Sequence, residues 1–360
     1  MRIAIHLWSL RGGGAERVAL YLTQSFLASG ISVDIILWKV QGAFLKDIPS
    51  EARLIDLGDG GSISRLLTFS KWLSKEKPDA ILCCQSLANI TGISANLLSG
   101  RKTRIVLREP NTLERFGLMR SRVLKLFPVI ARLFYYFSDH IIAVSDSIAE
   151  DLRKTLWIPS NKITVLYNPL PTQKIKTLAT KKPQHRWFNN DVPIILGAGR
   201  LVPQKDFTTL LRAFAEIRQD MVVRLVIFGE GEQKQLLQDL AAELGVSDDV
   251  DFPGFTDNIF SYLAAASVFV LPSKFEGCPN ILLEALACGC AVVATDCRSG
   301  PKEILAGKHG LLVKVGAVDD MAKAINKQLD VNTVLLPKNF NAGDYDVKKV
   351  ADQYLSILLE

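Results

Sequence analysis

Short apolar runs alternate with amphipathic stretches along this chain, and the alternation occurs in two separate series. In the first series, residues 2–8 predict a buried strand, Gly12-Gly13-Gly14 a tight turn, and residues 15–28 a helix with apolar residues at helical spacing. Further strands are predicted at residues 33–38, 80–84, 104–107 and 140–144. Such alternation is typical of an open, mostly parallel α/β sheet.

A second α/β series follows a polar, proline-punctuated stretch, with predicted strands at residues 193–197, 223–229, 268–271 and 291–295. We therefore predict an α/β fold with two doubly wound, Rossmann-like domains that face each other across a cleft. The predicted parts are an N-terminal domain at 1–170, a linker at 171–191, a C-terminal domain at 192–340 and a final stretch at 341–360. This final stretch ends in an amphipathic helix that can pack on either domain, including back on the N-terminal one.

The net charge of +6 is unevenly distributed along the chain. Residues 1–170 contain 22 Lys+Arg against 14 Asp+Glu, whereas residues 171–360 contain 21 against 23. This asymmetry predicts an anionic partner for the first half, either a membrane surface or a phosphorylated substrate. We expect no nucleic-acid partner, because no recognised nucleic-acid-binding motif occurs.

The six cysteines form no C-x-x-C pair and show no metal-ligand spacing with the four histidines. This pattern indicates a thiol-reduced, cytoplasmic protein without a metal site. The first residues lack a signal-peptide pattern, and no apolar run approaches the roughly 20 residues that span a bilayer.

The stretch PSKFEGCPNILLEALACG, residues 272–289, places two carboxylates around a predicted junction between a loop and a helix. Glu276 precedes the helix, and Glu284 is the only charge inside it. The free N–H groups of a helix start favour a phosphate, and a lone acid in an apolar helix suits a pair of ribose hydroxyls. The alternatives are a simple loop acid for Glu276 and a solvated helix face for Glu284. The residues at the helix start are Cys278, Pro279, Asn280 and Ile281.

Three glycine turns each follow a predicted strand, at residues 12–14, 197–199 and 229–231. None of them completes G-x-G-x-x-G, and no G-K-[ST] occurs, so a dinucleotide site and an NTPase phosphate loop are poorly supported. A tight turn that binds no ligand is the alternative for each.

Arg200 and Lys205 stand five residues apart on the loop that opens the first helix of the second series. Two cations on one loop at the carboxyl edge of a sheet can clamp a diphosphate and stabilise it as a leaving group. The alternative is an ordinary pair of surface cations. The joint occurrence of this pair with the Glu276–Glu284 carboxylates favours a common site.

The sequences GRLVPQKDF and KFEGCPNILLEALACGCAVVAT resemble the signature of family 4 glycosyltransferases, which are retaining enzymes of GT-B architecture that use nucleotide-diphosphate sugars. The E-x7-E spacing of Glu276 and Glu284 is intact. The opening LWSLRGGGAERV is similar to the glycine loop of members that build bacterial surface polysaccharides and lipid-linked glycans. The resemblance covers nearly the whole chain.

This resemblance implies specific roles for the candidate residues. Arg200 and Lys205 would bind the diphosphate, Glu276 would contact the donor sugar near the reacting centre, and Glu284 would bind the ribose. The helix start would offer backbone N–H groups from Cys278 to Ile281. The glycines assigned to substrate binding are Gly13 and Gly14 of the first series and Gly199 and Gly229 of the second.

One stretch departs from the family pattern. Many members carry a histidine after the fourth strand of the first domain, whereas this chain reads Leu107-Arg108-Glu109-Pro110. Arg108 and Glu109 are therefore our candidates for substrate contacts at that point, and the departure bears on acceptor contacts and on any proton relay there.

The function predicted from these residues is transfer of a hexose or N-acetylhexosamine from a nucleotide diphosphate, with UDP favoured over GDP, to a lipid-linked or polysaccharide acceptor. Transfer would retain the anomeric configuration and require neither a metal nor another cofactor. The alternatives are a nucleotide-sugar epimerase on the same scaffold, which would need no acceptor, and a regulator that binds a sugar nucleotide without turnover.

The stretch 101–137 predicts where such an enzyme would sit. It contains nine Lys+Arg, interleaved with aromatic and aliphatic residues, against two acids. We expect peripheral binding to an anionic membrane, on the inner face, as interfacial helices bind. The alternative is a core helix with a solvated basic face.

Overall fold

The computed structural model describes residues 1–100, 102–113, 126–330, 332–337 and 339–360. The chain divides into two compact units, each with its own parallel sheet. Unit 1 comprises Met1–Pro169 and Asp344–Glu360, and unit 2 comprises Leu170–Gly343. The predicted pair of doubly wound α/β structures is confirmed.

The described part of unit 1 contains seven strands. They are β1 (Arg2–Leu7), β2 (Ser32–Leu37), β3 (Arg53–Asp56), β4 (Ala80–Cys83), β5 (Arg104–Glu109), β6 (His140–Ala143) and β7 (Ile163–Val165). Its described helices are α1 (Gly14–Ala28), α2 (Ser62–Glu76), α3 (Ser86–Leu98), α4 (Phe127–Tyr135), α5 (Asp146–Leu156) and, at the end of the chain, α13 (Val347–Leu359).

The strands of unit 1 are ordered β3-β2-β1-β4-β5-β6-β7. The order reverses direction between β1 and β4, and open α/β sheets bind ligands beside the carboxyl ends of strands at such a switch point. The segments that follow β1 and β4 are therefore the expected binding edge of this unit.

The central strands of unit 1 are almost fully buried, because their apolar side chains are covered by helices. Helices α1 and α13 supply one layer of that core, which contains Phe26 of α1 and Tyr354 of α13. The C-terminal helix thus packs on unit 1, and Ile357 of this helix accepts a hydrogen bond from Arg104 Nε at 3.0 Å.

The described part of unit 2 contains six parallel strands. They are β8 (Ile194–Ala198), β9 (Arg224–Phe228), β10 (Val250–Gly254), β11 (Val268–Leu271), β12 (Val292–Thr295) and β13 (Leu311–Val313). Its described helices are α6 (Thr172–Ala179), α7 (Phe207–Asp220), α8 (Lys234–Glu243), α9 (Ile259–Ala265), α10 (Asn280–Ala287), α11 (Pro301–Leu305) and α12 (Val318–Leu329). The strand order β10-β9-β8-β11-β12-β13 places a second switch point between β8 and β11.

The prediction that residues 171–191 form a linker is wrong, because this segment belongs to unit 2. Helix α6 lies within it and packs against α9. Ile175 and Trp187 are buried, and Asn258 donates a hydrogen bond to the Leu178 carbonyl at 3.2 Å. These apolar and polar contacts make the segment part of unit 2, although its composition is that of a loop.

Among the described residues, no helix combines the length and the apolar character required to cross a bilayer.

Candidate active site

The loops after β8 and β11 meet at the switch point of unit 2, because these two strands are neighbours in the sheet. The loop after β8 carries Arg200 and Lys205, and the loop after β11 carries Glu276. Their meeting is direct, since Gln204 donates from Nε2 to the Phe275 carbonyl at 2.9 Å. The backbone N–H of Lys274 also donates to the Gln204 carbonyl at 2.8 Å.

An ion pair lies at the centre of this junction. Lys205 Nζ is 2.5 Å from Glu276 Oε1, and Ser273 donates its hydroxyl to the same oxygen at 2.7 Å. Glu276 is only 8% exposed, which excludes the reading of a merely solvated loop acid. The buried position strengthens the pairing, because charges attract more strongly away from bulk water.

Two hydroxyl residues fix the backbone of the Glu276 loop. Ser299 donates to the carbonyls of Glu276 and Gly277, at 3.0 and 2.9 Å, and Thr295 donates to the Ser273 carbonyl at 2.5 Å. Our sequence reasoning missed Ser273, Thr295 and Ser299. The available signal was positional, because Ser273 and Thr295 stand at the carboxyl ends of neighbouring strands.

Arg200 is exposed, and its guanidinium forms no ion pair within the described part of the chain. Lys205, by contrast, already has a carboxylate partner. The two predicted clamp residues therefore share one loop but differ in their surroundings. An exposed cation of this kind is accessible to an anionic ligand without breaking an internal pair.

The glycine turns of unit 2 are required by close backbone packing. A Cβ on Gly229 would lie 1.8 Å from the Gly199 carbonyl oxygen, so no larger residue fits there. A Cβ on Gly199 would lie 3.2 Å from Lys205 Cε, so this glycine makes room for the lysine stem. These contacts explain both glycines structurally, and their assignment to substrate binding stays a prediction.

Helix α10 begins at Asn280, directly after Pro279, and is followed by Gly289 with a φ of +76°. The expected boundaries are therefore found. Glu284 is 3% exposed within this helix, which excludes the solvated helix face that was its alternative. Cys278, before the helix, is buried, whereas Ile281 in its first turn is partly exposed.

Three cysteines of unit 2 are protonated thiols at neutral pH. Burial, together with the nearby Glu276 charge, raises the pKa of Cys297 to about 12. Burial also raises the pKa values of Cys288 and Cys290 to about 12. None of these three thiols is therefore an activated nucleophile.

The glycine loop of unit 1 follows β1, at the switch point of that sheet. Gly12 and Gly13 donate their backbone N–H groups to Glu16 Oε2, at 2.7 and 2.9 Å. Gln85, which follows β4, donates to Glu16 Oε1 at 3.2 Å. The N–H of Gly13, one of the glycines predicted to bind substrate, is thus held by a carboxylate of the same chain, and Gly14 begins α1.

Arg108 and Glu109 end β5 and are both fully buried. The Glu109 carboxylate accepts hydrogen bonds from Ser86 at 2.6 Å, Asn89 at 3.2 Å and Tyr135 at 2.5 Å. This carboxylate ties α3 and α4 to the sheet. The substrate contact by Glu109 stays a prediction, and three internal donors already engage its oxygens.

Comparison with known proteins identifies the family. Residues 12–174 match the family described as Glycosyltransferase Family 4, and residues 179–342 match the one described as Glycosyl transferases group 1. The chain is 30% identical over 380 residues to N-acetylgalactosamine-N,N'-diacetylbacillosaminyl-diphospho-undecaprenol 4-alpha-N-acetylgalactosaminyltransferase of Campylobacter jejuni, with 99% of both chains covered. It is 28% identical to the lipopolysaccharide core biosynthesis glycosyltransferase LpsE of Rhizobium meliloti, with 97% of this chain and 96% of the relative covered.

Solved structures agree in fold. The chain is similar to Anabaena HepE in complex with UDP-glucose, with a TM-score of 0.84, 21% identity and 99% of both chains covered. It is also similar to the apo form of the lipopolysaccharide outer core galactosyltransferase WaaB, with a TM-score of 0.75, 21% identity and the same coverage. From its motifs, its two Rossmann-like units and these relatives, the chain belongs to glycosyltransferase family 4 and has the GT-B fold.

Proposed function

We propose that this glycosyltransferase moves a hexose or N-acetylhexosamine from a nucleotide-diphosphate sugar to a lipid-linked or polysaccharide acceptor, with retention of configuration. UDP is favoured over GDP as the nucleotide, because HepE was solved with UDP-glucose. The named Campylobacter relative acts on a diphospho-undecaprenol acceptor, which supports the acceptor class. The observation that carries the proposal is the Lys205–Glu276 pair beside the free cation Arg200 at the switch point of unit 2.

In this proposal Arg200 and Lys205 bind the diphosphate and stabilise it as it leaves. Arg200 is free to take an anion, whereas Lys205 exchanges its pairing with Glu276 for one that includes the phosphate. Preorganised cations of this kind stabilise developing charge without reorganisation during the reaction. The N–H groups of Cys278, Asn280 and Ile281, at the start of α10, add the favourable end of a helix dipole.

Glu276 is proposed to contact the donor sugar near the anomeric carbon. Its Oε1 is engaged by Lys205 and Ser273, and such bonds lower the nucleophilicity of a carboxylate. We therefore favour attack by the acceptor on the same face from which the diphosphate departs. Glu284 is proposed to bind the ribose hydroxyls, and the assignment of Gly13 and Gly14 to substrate binding stays a prediction.

The two cations do the work that a divalent metal does in other sugar transferases. We therefore propose that turnover is independent of added metal and persists in EDTA. Loss of activity in EDTA with recovery on addition of Mn²⁺ or Mg²⁺ would contradict this part of the proposal.

A lipid-linked acceptor requires access to a membrane, and α4 offers an exposed apolar surface for it. Val129 and Leu133 of α4 are four residues apart and exposed, Leu133 by 64%, and Tyr136, directly after the helix, is exposed as well. The Arg132 guanidinium stacks 3.3 Å from the ring centroid of the exposed Trp157. Apolar, aromatic and basic side chains on one surface suit an anionic bilayer, so we propose peripheral binding at the inner face of the membrane.

The structure changes the predicted membrane segment in one respect. Tyr135 and Phe127 are buried in the core of unit 1 and are not available to lipid. Five of the basic residues in the predicted membrane segment 101–137 lie outside the described residues. They are Arg101, Arg115, Arg120, Arg122 and Lys125.

A thermal-shift screen against nucleotide sugars, followed by turnover with a polyprenyl-diphosphate-linked glycan, tests the function. We expect one nucleotide-diphosphate sugar to raise the melting temperature and its sugar to appear on the acceptor. Conversion of the donor sugar without any acceptor would indicate an epimerase. Binding with no turnover on any acceptor would indicate a regulator.

A further inference from the structure

Arg108 is a fully buried cation without a counter-charge in the described part of unit 1. Its Nη2 donates to Asn168 Oδ1 at 2.5 Å, which is a neutral acceptor. Its Nε and Nη1 are buried and have no hydrogen-bond partner among the described residues. Buried polar groups are almost always paired, so two unpaired nitrogens on one guanidinium require an explanation.

Among the described neighbours of Arg108, Glu109 and Cys84 do not supply the missing negative charge. Glu109 projects from the opposite face of β5, since side chains alternate along a strand, and its carboxylate is held by Ser86, Asn89 and Tyr135. Cys84 lies beside Arg108, but burial raises the pKa of its thiol to about 12, even though the Arg108 charge acts in the opposite direction. Cys84 is therefore neutral at physiological pH.

Arg104, on the same strand, has both a hydrogen-bond acceptor and a nearby carboxylate. It lies on the same face of β5, four residues earlier, and donates from Nε to the Ile357 carbonyl at 3.0 Å. Its Nη2 also lies 3.8 Å from the Glu360 carboxylate. Arg108, at the carboxyl end of the strand, has no equivalent partners in the described part of the chain.

Arg108 lies at the carboxyl edge of the sheet, near its switch point. Strand β5 pairs with β4, and β4 forms the switch point of the sheet with β1. Arg108 follows Leu107, which is in register with Cys83 at the end of β4. A cation at this edge lies one strand away from the place where open α/β sheets take their ligands.

We propose that Arg108 is the receptor in unit 1 for a phosphoryl oxygen of a substrate diphosphate, and that Asn168 holds the guanidinium until that anion arrives. This inference rests on the proposed function, which supplies two diphosphates, one on the donor and one on a lipid-linked acceptor. Arginine suits the task because its planar guanidinium binds phosphate strongly and stays charged when buried. Because Arg108 is fully covered, binding requires the Asn168 side chain to give way.

The first test separates this role from a structural one by comparing Arg108→Met with the control Arg104→Met, measured as melting temperature without ligand. A buried charge without a partner destabilises the fold, so Arg108→Met should leave the melting temperature unchanged or raised. Arg104→Met removes the hydrogen bond to the Ile357 carbonyl and should lower the melting temperature. A larger loss for Arg108→Met than for Arg104→Met would overturn the inference.

The second test measures anion binding with inorganic pyrophosphate in an Arg200→Ala/Lys205→Ala background, so that the proposed site in unit 2 does not contribute. Pyrophosphate should still bind, and adding Arg108→Met should weaken it by about tenfold or more, the usual effect of losing a hydrogen bond to a charged group. Asn168→Ala, which keeps the charge but removes the neutral acceptor, should tighten binding by about fivefold. Pyrophosphate binding that neither Arg108→Met nor Asn168→Ala changes would overturn the inference.

Farnesyl diphosphate and UDP distinguish the two sources of the anion in the same background. If Arg108→Met weakens the binding of farnesyl diphosphate alone, Arg108 contacts the acceptor diphosphate. If it weakens the binding of UDP alone, Arg108 contacts the donor diphosphate. These results are independent of turnover, so a failure of the proposed transferase reaction would not be confused with a failure of this site.

Discussion

Lys205 Nζ and Glu276 Oε1 are 2.5 Å apart, although the two residues are separated by 71 positions in the sequence. The pair joins the loops that follow two neighbouring strands, β8 and β11. Both partners are largely buried, with side-chain exposures of 13% and 8%. A cation proposed to bind the departing diphosphate is thus already positioned by the carboxylate proposed to face the sugar.

Replacing Glu276 with Gln or Ala should lower turnover more than it weakens nucleotide binding, because this residue is proposed to act on the sugar in the transition state. We expect kcat to fall by roughly 10²-fold or more, the usual effect of losing one preorganised stabilising group. Steady-state kinetics and UDP titration of the same variants separate the two effects.

Ser273→Ala is a matched control for Glu276, because it removes only the hydroxyl that contacts Oε1. It should reduce kcat much less than either Glu276 variant does. Equal losses of turnover and of UDP affinity in Glu276→Gln would count against the proposed role of the carboxylate.

Glu284→Ala should mainly raise the apparent KM for the donor. The expected loss corresponds to about 1–3 kcal/mol, as for hydrogen bonds that involve a charged group. Donor-saturation curves for Glu284→Ala and Glu284→Gln provide the measurement. An unchanged KM in both variants would place Glu284 outside the donor site.

His6 makes the stability of unit 1 depend on pH. Burial lowers its pKa from 6.5 to about 4, although the hydrogen bond to the Ile36 carbonyl acts in the opposite direction. The unfolded chain therefore binds the proton first as pH falls, so stability is fully present above about pH 6.5 and is lost progressively towards pH 4. The loss should approach about 3 kcal/mol.

Urea unfolding between pH 8 and pH 4, followed by tryptophan fluorescence, measures this effect. Four of the five tryptophans lie in unit 1, and Trp8 stacks on Trp38 close to His6. His6→Met should be less stable at pH 8 but show a flatter profile below pH 6.5. A profile as steep as that of the unmodified protein would exclude His6 as the source.

Membrane binding should depend on the exposed face of α4. Leu133→Ser combined with Tyr136→Ser should weaken co-sedimentation with vesicles that contain anionic lipid, because both side chains, one on α4 and one directly after it, are more than half exposed. Leu67→Ser is the control, since Leu67 is also exposed but lies on α2. Failure of the unmodified protein to co-sediment at low salt would remove membrane binding from the account.

The buried strands could be predicted from the sequence, but the strands at the sheet edges could not. Our predictions missed β3, β7, β10 and β13, and these four strands form both edges of both sheets. Edge strands are short and partly solvated, and they tolerate proline, as Pro253 in β10 shows. Their sequences therefore lack the apolar run that identifies a central strand.

The candidate site was predictable where motif and position coincide. Lys205 and Glu276 could be assigned to one site because their loops follow strands that become neighbours. The hydrogen bonds from the Gly12 and Gly13 N–H groups to Glu16 could not be predicted from the sequence. An acid at this position is equally compatible with an exposed side chain in the first turn of a helix. The burial of Arg108 without a counter-charge among the described residues could likewise not be predicted, since it depends on which strands and helices cover β5.

Calorimetric titration of UDP tests the central claim that Arg200 and Lys205 hold the nucleotide diphosphate. The comparison includes the unmodified protein, Arg200→Ala, Lys205→Ala and the control Lys274→Ala, which removes an exposed cation of the neighbouring loop that lies 3.5 Å from Asp206. We predict that Arg200→Ala and Lys205→Ala each weaken UDP binding by about tenfold or more, whereas Lys274→Ala leaves it within about twofold. UDP affinity that is unchanged in both Arg200→Ala and Lys205→Ala would contradict the account.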